Sequence, residues 1–376
     1  MLTPREAYEA ARSRIRQNLG ALADAPKFWR IRLRMIVAVV AALHLVWFAA
    51  PLMAEDAVVL RSESGAGEFR VPGEIIDYTG RAIRIRSDQG LERSYAADRV
   101  VRIETEWTLE HVAGDEAQAA GQFAAAIEQY RRAVQTEPRT WVRRKILAEL
   151  VWCYRAAGRQ EAAGDAFLLL LSSDPATPYF DSIPLAWLPT EAVSPQRATA
   201  WLERDDLPAA QLLGASYLMS GAQRGAALAA LDQLAQHDDP RIAALAIAQR
   251  WRAEAFQATA AETAAWMQVI EQMPEPLRGG AYFVLGQTLA RQRRHDEAAL
   301  ALLRVPILFD RDRELAAAAL VLAGQSLEQA SQPDEARRLY QEAIDAYGDS
   351  RWRSEARARL EQLAPQGNSA KEQVDH

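Results

Sequence analysis

The sequence predicts a mainly α-helical protein: an array of about six helix pairs, preceded by a small all-β module and, ahead of that, one apolar helix of membrane-spanning length. Three observations carry this. From residue 107 onward, small and bulky apolar residues recur with a period near 34 residues; between 55 and 106 the apolar residues alternate with polar ones; and residues 35–54 hold no ionisable side chain except His44. A fixed period of roughly 20 to 50 residues marks architectures in which each unit packs only on its neighbours, so that length no longer counts domains.

Residues 1–34 form a basic segment with eight Lys or Arg against three acids, followed by MIVAVVAALHLVWFAAPLMA at 35–54. About 20 apolar residues suffice to cross a bilayer as a helix. Arg30, Arg32 and Arg34 precede the run and Glu55 and Asp56 follow it. The positive-inside rule then keeps the amino terminus in the cytoplasm and sends the rest outward across the membrane. Two outcomes stay open: a signal peptide, with Pro51 breaking the helix before a Leu52-Met53-Ala54 cleavage site, or an uncleaved anchor that makes the membrane a partner. Of the 44 basic and 50 acidic residues, 36 and 47 lie beyond residue 34, a net charge of −11 there. Such a surface repels nucleic acid, so none is expected as a partner. The single cysteine, Cys153, excludes an internal disulfide and any multi-cysteine metal site.

Residues 55–106 read as the β module. Val58 and Leu60, Ile83 and Ile85, and Val101 and Ile103 are its inward residues, with turns at Gly65-Ala66-Gly67, Thr79-Gly80 and Asp88-Gln89-Gly90. About five strands are expected, at 57–61, 69–77, 82–86, 91–95 and 99–105, closing into a small barrel or curled sheet that leaves few unpaired edges. The layout resembles an SH3-like barrel, either a peptide-binding or docking module or a spacer that covers the first helix.

The repeats follow at 107–175 and 207–350. In the first unit Gly114, Ala126, Tyr130, Ala133 and Pro138 occupy positions 8, 20, 24, 27 and 32; the second has Leu147, Leu150, Val151, Tyr154, Ala163, Phe167, Leu170 and Pro175. A third has Leu213, Gly214, Tyr217, Ala226 and Ala230, and a fourth has Ala248 and Trp251 with its second helix, around Trp266, Val269 and Ile270, out of register. The fifth (Tyr282, Leu285, Gly286, Leu289, Ala298, Leu302, Val305) and sixth (Leu320, Ala323, Gly324, Leu327, Ala336, Tyr340, Ala343) are regular, and an amphipathic helix at 351–364 caps the array before a tail at 365–376. This pattern resembles the tetratricopeptide repeat, in which small residues at positions 8 and 20 let paired helices approach. The phrase AYGDSRWRSEARARL is also similar to that of envelope tetratricopeptide proteins. The resemblance implies an α-solenoid that works as an adaptor, binding proteins or peptides on its concave side. A self-associating envelope component is the alternative.

In that family the concave side is lined by first-helix positions 2, 5, 9 and 12. The matching residues include Lys145, Trp152 and Arg155 in unit two, Phe283 and Gln287 in unit five, and Gln325 and Glu328 in unit six. Aromatic and Arg side chains make strong interface anchors, which selects Trp152, Arg155 and Phe283, unless neighbouring helices or an insertion cover them. The insertion is residues 176–206, where Pro178, Pro184 and Pro189 punctuate Tyr179, Phe180, Trp187 and Leu188. Apolar side chains in such a segment must pack on something, the seam between the two halves of the array or a ligand. Ser194-Pro195 then begins a short helix as cap and first-turn proline.

No catalytic, cofactor or metal constellation is legible, and the chain does not read as an enzyme. His44, His111, His237, His295 and His376 are scattered, His295-Asp296 falls in a repeat turn, and no phosphate-cradling glycine loop occurs.

Overall fold

The computed structural model describes residues 56–63, 67–190 and 192–363. The basic segment, the apolar run at 35–54 and the carboxy-terminal tail lie outside them. Among the described residues no helix is long and apolar enough to cross a membrane.

Among the described residues the β module holds six strands rather than five: β1 (Ala57–Arg61), β2 (Glu68–Pro72), β3 (Glu74–Tyr78), β4 (Ala82–Arg86), β5 (Glu92–Ala96) and β6 (Val100–Glu104). They pair antiparallel in two three-stranded sheets, ordered β2-β1-β6 and β3-β4-β5. The strand expected at 69–77 breaks at Gly73, whose φ of 136° passes the chain from one sheet to the other. A Cβ there would meet the Arg86 carbonyl oxygen at 2.5 Å. Gly73→Ala should therefore cost on the order of 1–3 kcal/mol, read as a lowered denaturant midpoint. Val58, Leu60, Ile75, Ile83 and Ile85 fill the interior. Val101 does not join them: the β1–β6 register steps from Arg102 opposite Val59 to Val100 opposite Leu60, so Val101 bulges and turns outward.

Fourteen helices follow among the described residues: α1 (Leu109–Ala119), α2 (Phe123–Thr136), α3 (Thr140–Ala156), α4 (Gln160–Ser173), α5 (Pro195–Leu202), α6 (Pro208–Leu218), α7 (Arg224–Leu234), α8 (Pro240–Glu254), α9 (Ala260–Gln272), α10 (Gly279–Arg291), α11 (His295–Leu308), α12 (Arg313–Gln329), α13 (Pro333–Ala346) and α14 (Arg353–Leu363). Within α1/α2, α3/α4, α6/α7, α10/α11 and α12/α13 the two helices pack side by side, and α6, α8, α10, α12 and α14 also touch in series. The described residues are thus mainly helical, with one small antiparallel module ahead of the helices. Close approach explains the glycines at position 8: a Cβ on Gly114 would lie 2.6 Å from the Tyr130 ring, and one on Gly324 2.5 Å from that of Tyr340.

Turn length decides where the repeat pattern slips. In unit three the turn between α6 and α7 has lengthened, so α7 buries Ala227, Leu231 and Leu234, one residue later than expected, and leaves Ala226 exposed. Gly214 meets not α7 but α5, where a Cβ would lie 2.5 Å from the Ala198 carbonyl oxygen. In unit four the slip is larger. There α9 turns Thr263, Trp266 and Ile270 inward, and Trp251 and Trp266 stack with centroids 4.9 Å apart, holding a looser pair.

The β module is fastened across the second pair. Trp141 Nε1 donates to the Ile75 carbonyl at 3.1 Å, Arg144 to that of Tyr78 at 3.0 Å, and the Gly80 amide to Asp174 Oδ2 at 2.9 Å. Each bond uses a backbone group at the β3–β4 end, so the module covers α3 and α4 rather than the first helix alone.

Candidate functional site

The insertion decides the character of the site. Between α4 and α5 the chain makes a 3-10 turn at Phe180–Ser182 and then runs extended, and Phe180, Ile183, Leu185, Ala186, Trp187 and Leu188 are all at most 9% exposed. This strap runs from α3 across α6 and α8 to α10. Its own backbone is what the helices hold. Arg155 Nη1 donates to the Ser182 and Ile183 carbonyls, each at 3.3 Å, and the Tyr217 hydroxyl donates to that of Pro184 at 2.7 Å. The Ala186 amide donates to Ser216 Oγ at 3.2 Å, and Gln249 Nε2 donates to the Ala186 carbonyl at 3.3 Å. Side chains then seat it. Phe180 meets Phe167 edge-on with the Arg241 guanidinium 4.2 Å over its ring, and Trp187 lies on Gly280 so closely that a Cβ there would overlap the indole.

Over the strap the loop joining α11 to α12 closes back onto α3. Arg155 pairs with Asp312, and Arg311 reaches Glu149 at 2.6 Å. The two guanidiniums flank the Trp152 ring, 4.4 Å and 5.0 Å from its centroid. Burial opposes ionisation of Glu149, but Arg311 and Lys145 outweigh it and hold the carboxyl below its ordinary range. Burial pushes Asp181 the other way, with Arg311 and Arg155 only partly offsetting it.

The expected anchors are therefore not free surface. Phe283 is fully buried, Trp152 is 7% exposed and Arg155 8%. The strap and the α11–α12 loop lie over Arg155 and Trp152, and Phe283 is packed into the helix core. The remaining four expected residues are part exposed. Lys145 pairs with Glu149 at 3.2 Å and lies over Trp107. Glu328 accepts from the Tyr340 hydroxyl, and Gln325 Nε2 donates to Glu355 at 3.2 Å. Gln287 and Gln325 line a cavity of about 350 Å³ between α10, α11, α12 and α14. Sequence reasoning missed Glu149, Arg311 and Asp312 as a closing set, and no local spacing announces partners some 160 positions apart.

No family model matches the chain, and no curated protein matches it. What the fold defines is a class: consecutive helix pairs behind a small β module, with an internal strap laid across one helix row.

Cys153 is buried, which pushes its thiol up to about 12. His237 Nδ1 accepts from the Asp239 amide at 2.9 Å, and Asp296 accepts from Gln332 Nε2 at 2.9 Å. Among the described residues no cluster of His, Cys, Asp and Glu could hold a metal ion.

His111 is fully buried between Trp107, with centroids 4.6 Å apart, and Tyr130, and both of its ring nitrogens lack a hydrogen-bond partner. Burial lowers its pKa, reinforced by Lys145 and opposed by Asp115, Glu149 and Glu137. The unfolded chain, with an imidazole near 6.5, then binds the proton more readily than the native one. The stability is complete above about pH 6.5 and is lost as pH falls from there through the lower native value. Thermal melts at pH 7.5 and 5.5 should fall further apart for the native protein than for His111→Phe. Equal separations would remove His111 from the account.

Proposed function

We propose that this chain is a tetratricopeptide-type α-solenoid acting as an adaptor, exported from the cytoplasm or anchored to the membrane through residues 35–54, that holds protein or peptide segments along the inner row of its helices. The strap is the observation that carries this reading. Inner-row side chains at Arg155, Ser216, Tyr217 and Gln249 bind an extended backbone through its own carbonyls and amide, and side-chain capture of an extended chain is what such an adaptor must do. With that stretch occupied, the partner belongs on units five and six, where Gln287 and Gln325 continue the row. Photo-crosslinking from Gln287 and from Gln325 in the native envelope, followed by mass spectrometry, should return the same discrete partner at both positions. Recovery of none, or of unrelated products at each, counts against the adaptor.

A self-associating envelope component is favoured by a different observation: Leu300, Ile307 and Leu308 of α11 are 66%, 72% and 59% exposed. Light scattering separates the readings, since an adaptor is monomeric alone and a layer protein assembles. The amino-terminal residue of the mature protein decides between cleavage after Ala54 and an intact anchor.

A further inference from the structure

A cavity of about 370 Å³ lies between the strap and the α11–α12 loop, bordered by Trp152 of α3, Leu245 of α8 and the amino-terminal end of α10. It has the size of a small-molecule site and, like one, is walled mostly by apolar side chains. Four carboxylates, of Asp181, Glu275, Asp310 and Asp312, face two guanidiniums there. Both guanidiniums are already committed, Arg155 to Asp312 and Arg311 to Glu149. Two polar groups on the wall are left over. Trp152 is only 7% exposed and its Nε1 has no hydrogen-bond partner, whereas a buried indole N–H ordinarily finds one. The Asp181 carboxyl accepts from no side chain among the described residues, and burial presses it toward the neutral form with Arg311 and Arg155 only partly offsetting that. The buried carboxylates elsewhere have donors: Glu137 has Arg139, Glu149 has Lys145 and Arg311, and Asp174 has the Gly80 and Ala176 amides.

We infer that this cavity binds an apolar α-amino amide, the chemistry of a peptide's first residue, with its ammonium on Asp181, its carbonyl oxygen on the Trp152 Nε1–H and its side chain against Ile183, Leu245 and Leu277. A polar group left unpaired away from water is unfavourable, and a ligand that pairs it removes that penalty. Asp181 calls for a donor and Trp152 for an acceptor. An ammonium supplies three donors and no acceptor, so an amine alone satisfies only the first; an α-amino amide carries both groups on neighbouring atoms. A ligand with a free carboxylate would bring a fifth to a wall where carboxylates already outnumber guanidiniums. A cation is favoured also by the net charge of −11 beyond residue 34. Gln287 and Gln325 lie outside this cavity, so the site stands or falls apart from the adaptor reading.

Isothermal titration calorimetry of the full chain tests it with three probes. Leucinamide should bind. N-acetyl-leucinamide, which keeps the carbonyl and side chain but loses the charge, should bind at least tenfold more weakly, and isoamylamine, which keeps the ammonium but lacks the carbonyl, should also be weaker. Asp181→Asn should weaken leucinamide at least tenfold while leaving the urea midpoint unchanged, because no side-chain partner is lost with the charge. In Trp152→Phe the advantage of leucinamide over isoamylamine should vanish while isoamylamine binds as before. No binding of leucinamide, equal binding of N-acetyl-leucinamide, undiminished binding by Asp181→Asn, or a preference for leucinamide that survives Trp152→Phe overturns the inference. The amidated peptide Leu-Gly-Gly-Gly identifies the source of the ligand: binding equal to that of leucinamide assigns the site to a chain's amino terminus, and its exclusion assigns it to a free amino-acid amide.

Discussion

Gly280→Ala should destabilise the protein by about 1–3 kcal/mol or more, and Trp187→Ala by about 3–5 kcal/mol, yet the double variant should lose clearly less than the sum. The reason is shared space. Gly280 has no side chain because the Trp187 indole occupies that volume, so the alanine methyl clashes with the ring when it is present and partly fills the void when it is gone. Residues in contact couple in this way, and distant ones add to within a few tenths of a kcal/mol. Urea unfolding of the four proteins followed by circular dichroism measures the coupling. Additive losses would mean that the strap is not seated on α10.

The second large effect is expected at Arg155. As a partner-binding residue it would be replaceable without loss of folding. Its burial, its pair with Asp312 and its bonds to two strap carbonyls predict the opposite. Removing one member of a buried pair leaves the other charge uncompensated, at a cost of about 3–5 kcal/mol, and here two carbonyls lose their donor as well. Arg155→Met should lower the urea midpoint accordingly. Lys145→Met should cost under about 1 kcal/mol, because its ion pair with Glu149 is part exposed and Arg311 still holds that carboxylate. A stable Arg155→Met variant with altered partner capture would restore the interface reading.

Gly280 and Arg155 owe their roles to contacts far apart in the chain. Amphipathic period and turn residues placed the helix pairs because each depends on side chains within a few positions of one another. For the same reason the Ser194 cap of α5 was legible, its hydroxyl accepting from the Arg197 amide at 3.3 Å. The split at Gly73 was not, since a continuous alternating run looks the same whether or not a positive φ interrupts it. Register in units three and four went astray for a related reason: the position numbering assumed turns of constant length, and longer turns carry every inward residue with them.

By itself the sequence determined that the chain is mainly helical with a small β module ahead, that its inward residues recur from unit to unit, and that an apolar, proline-punctuated insertion must be covered. Only the tertiary structure decided what covers it. The strap lies along the helix row, and Arg155–Asp312 and Glu149–Arg311 close over it between residues 157 and 162 positions apart. Helical and strand periods record contacts among near neighbours, whereas a contact across the array depends on accumulated turn lengths and helix crossings. That is why Trp152, Arg155 and Phe283 carried the pattern of an exposed surface and are buried beneath their own chain.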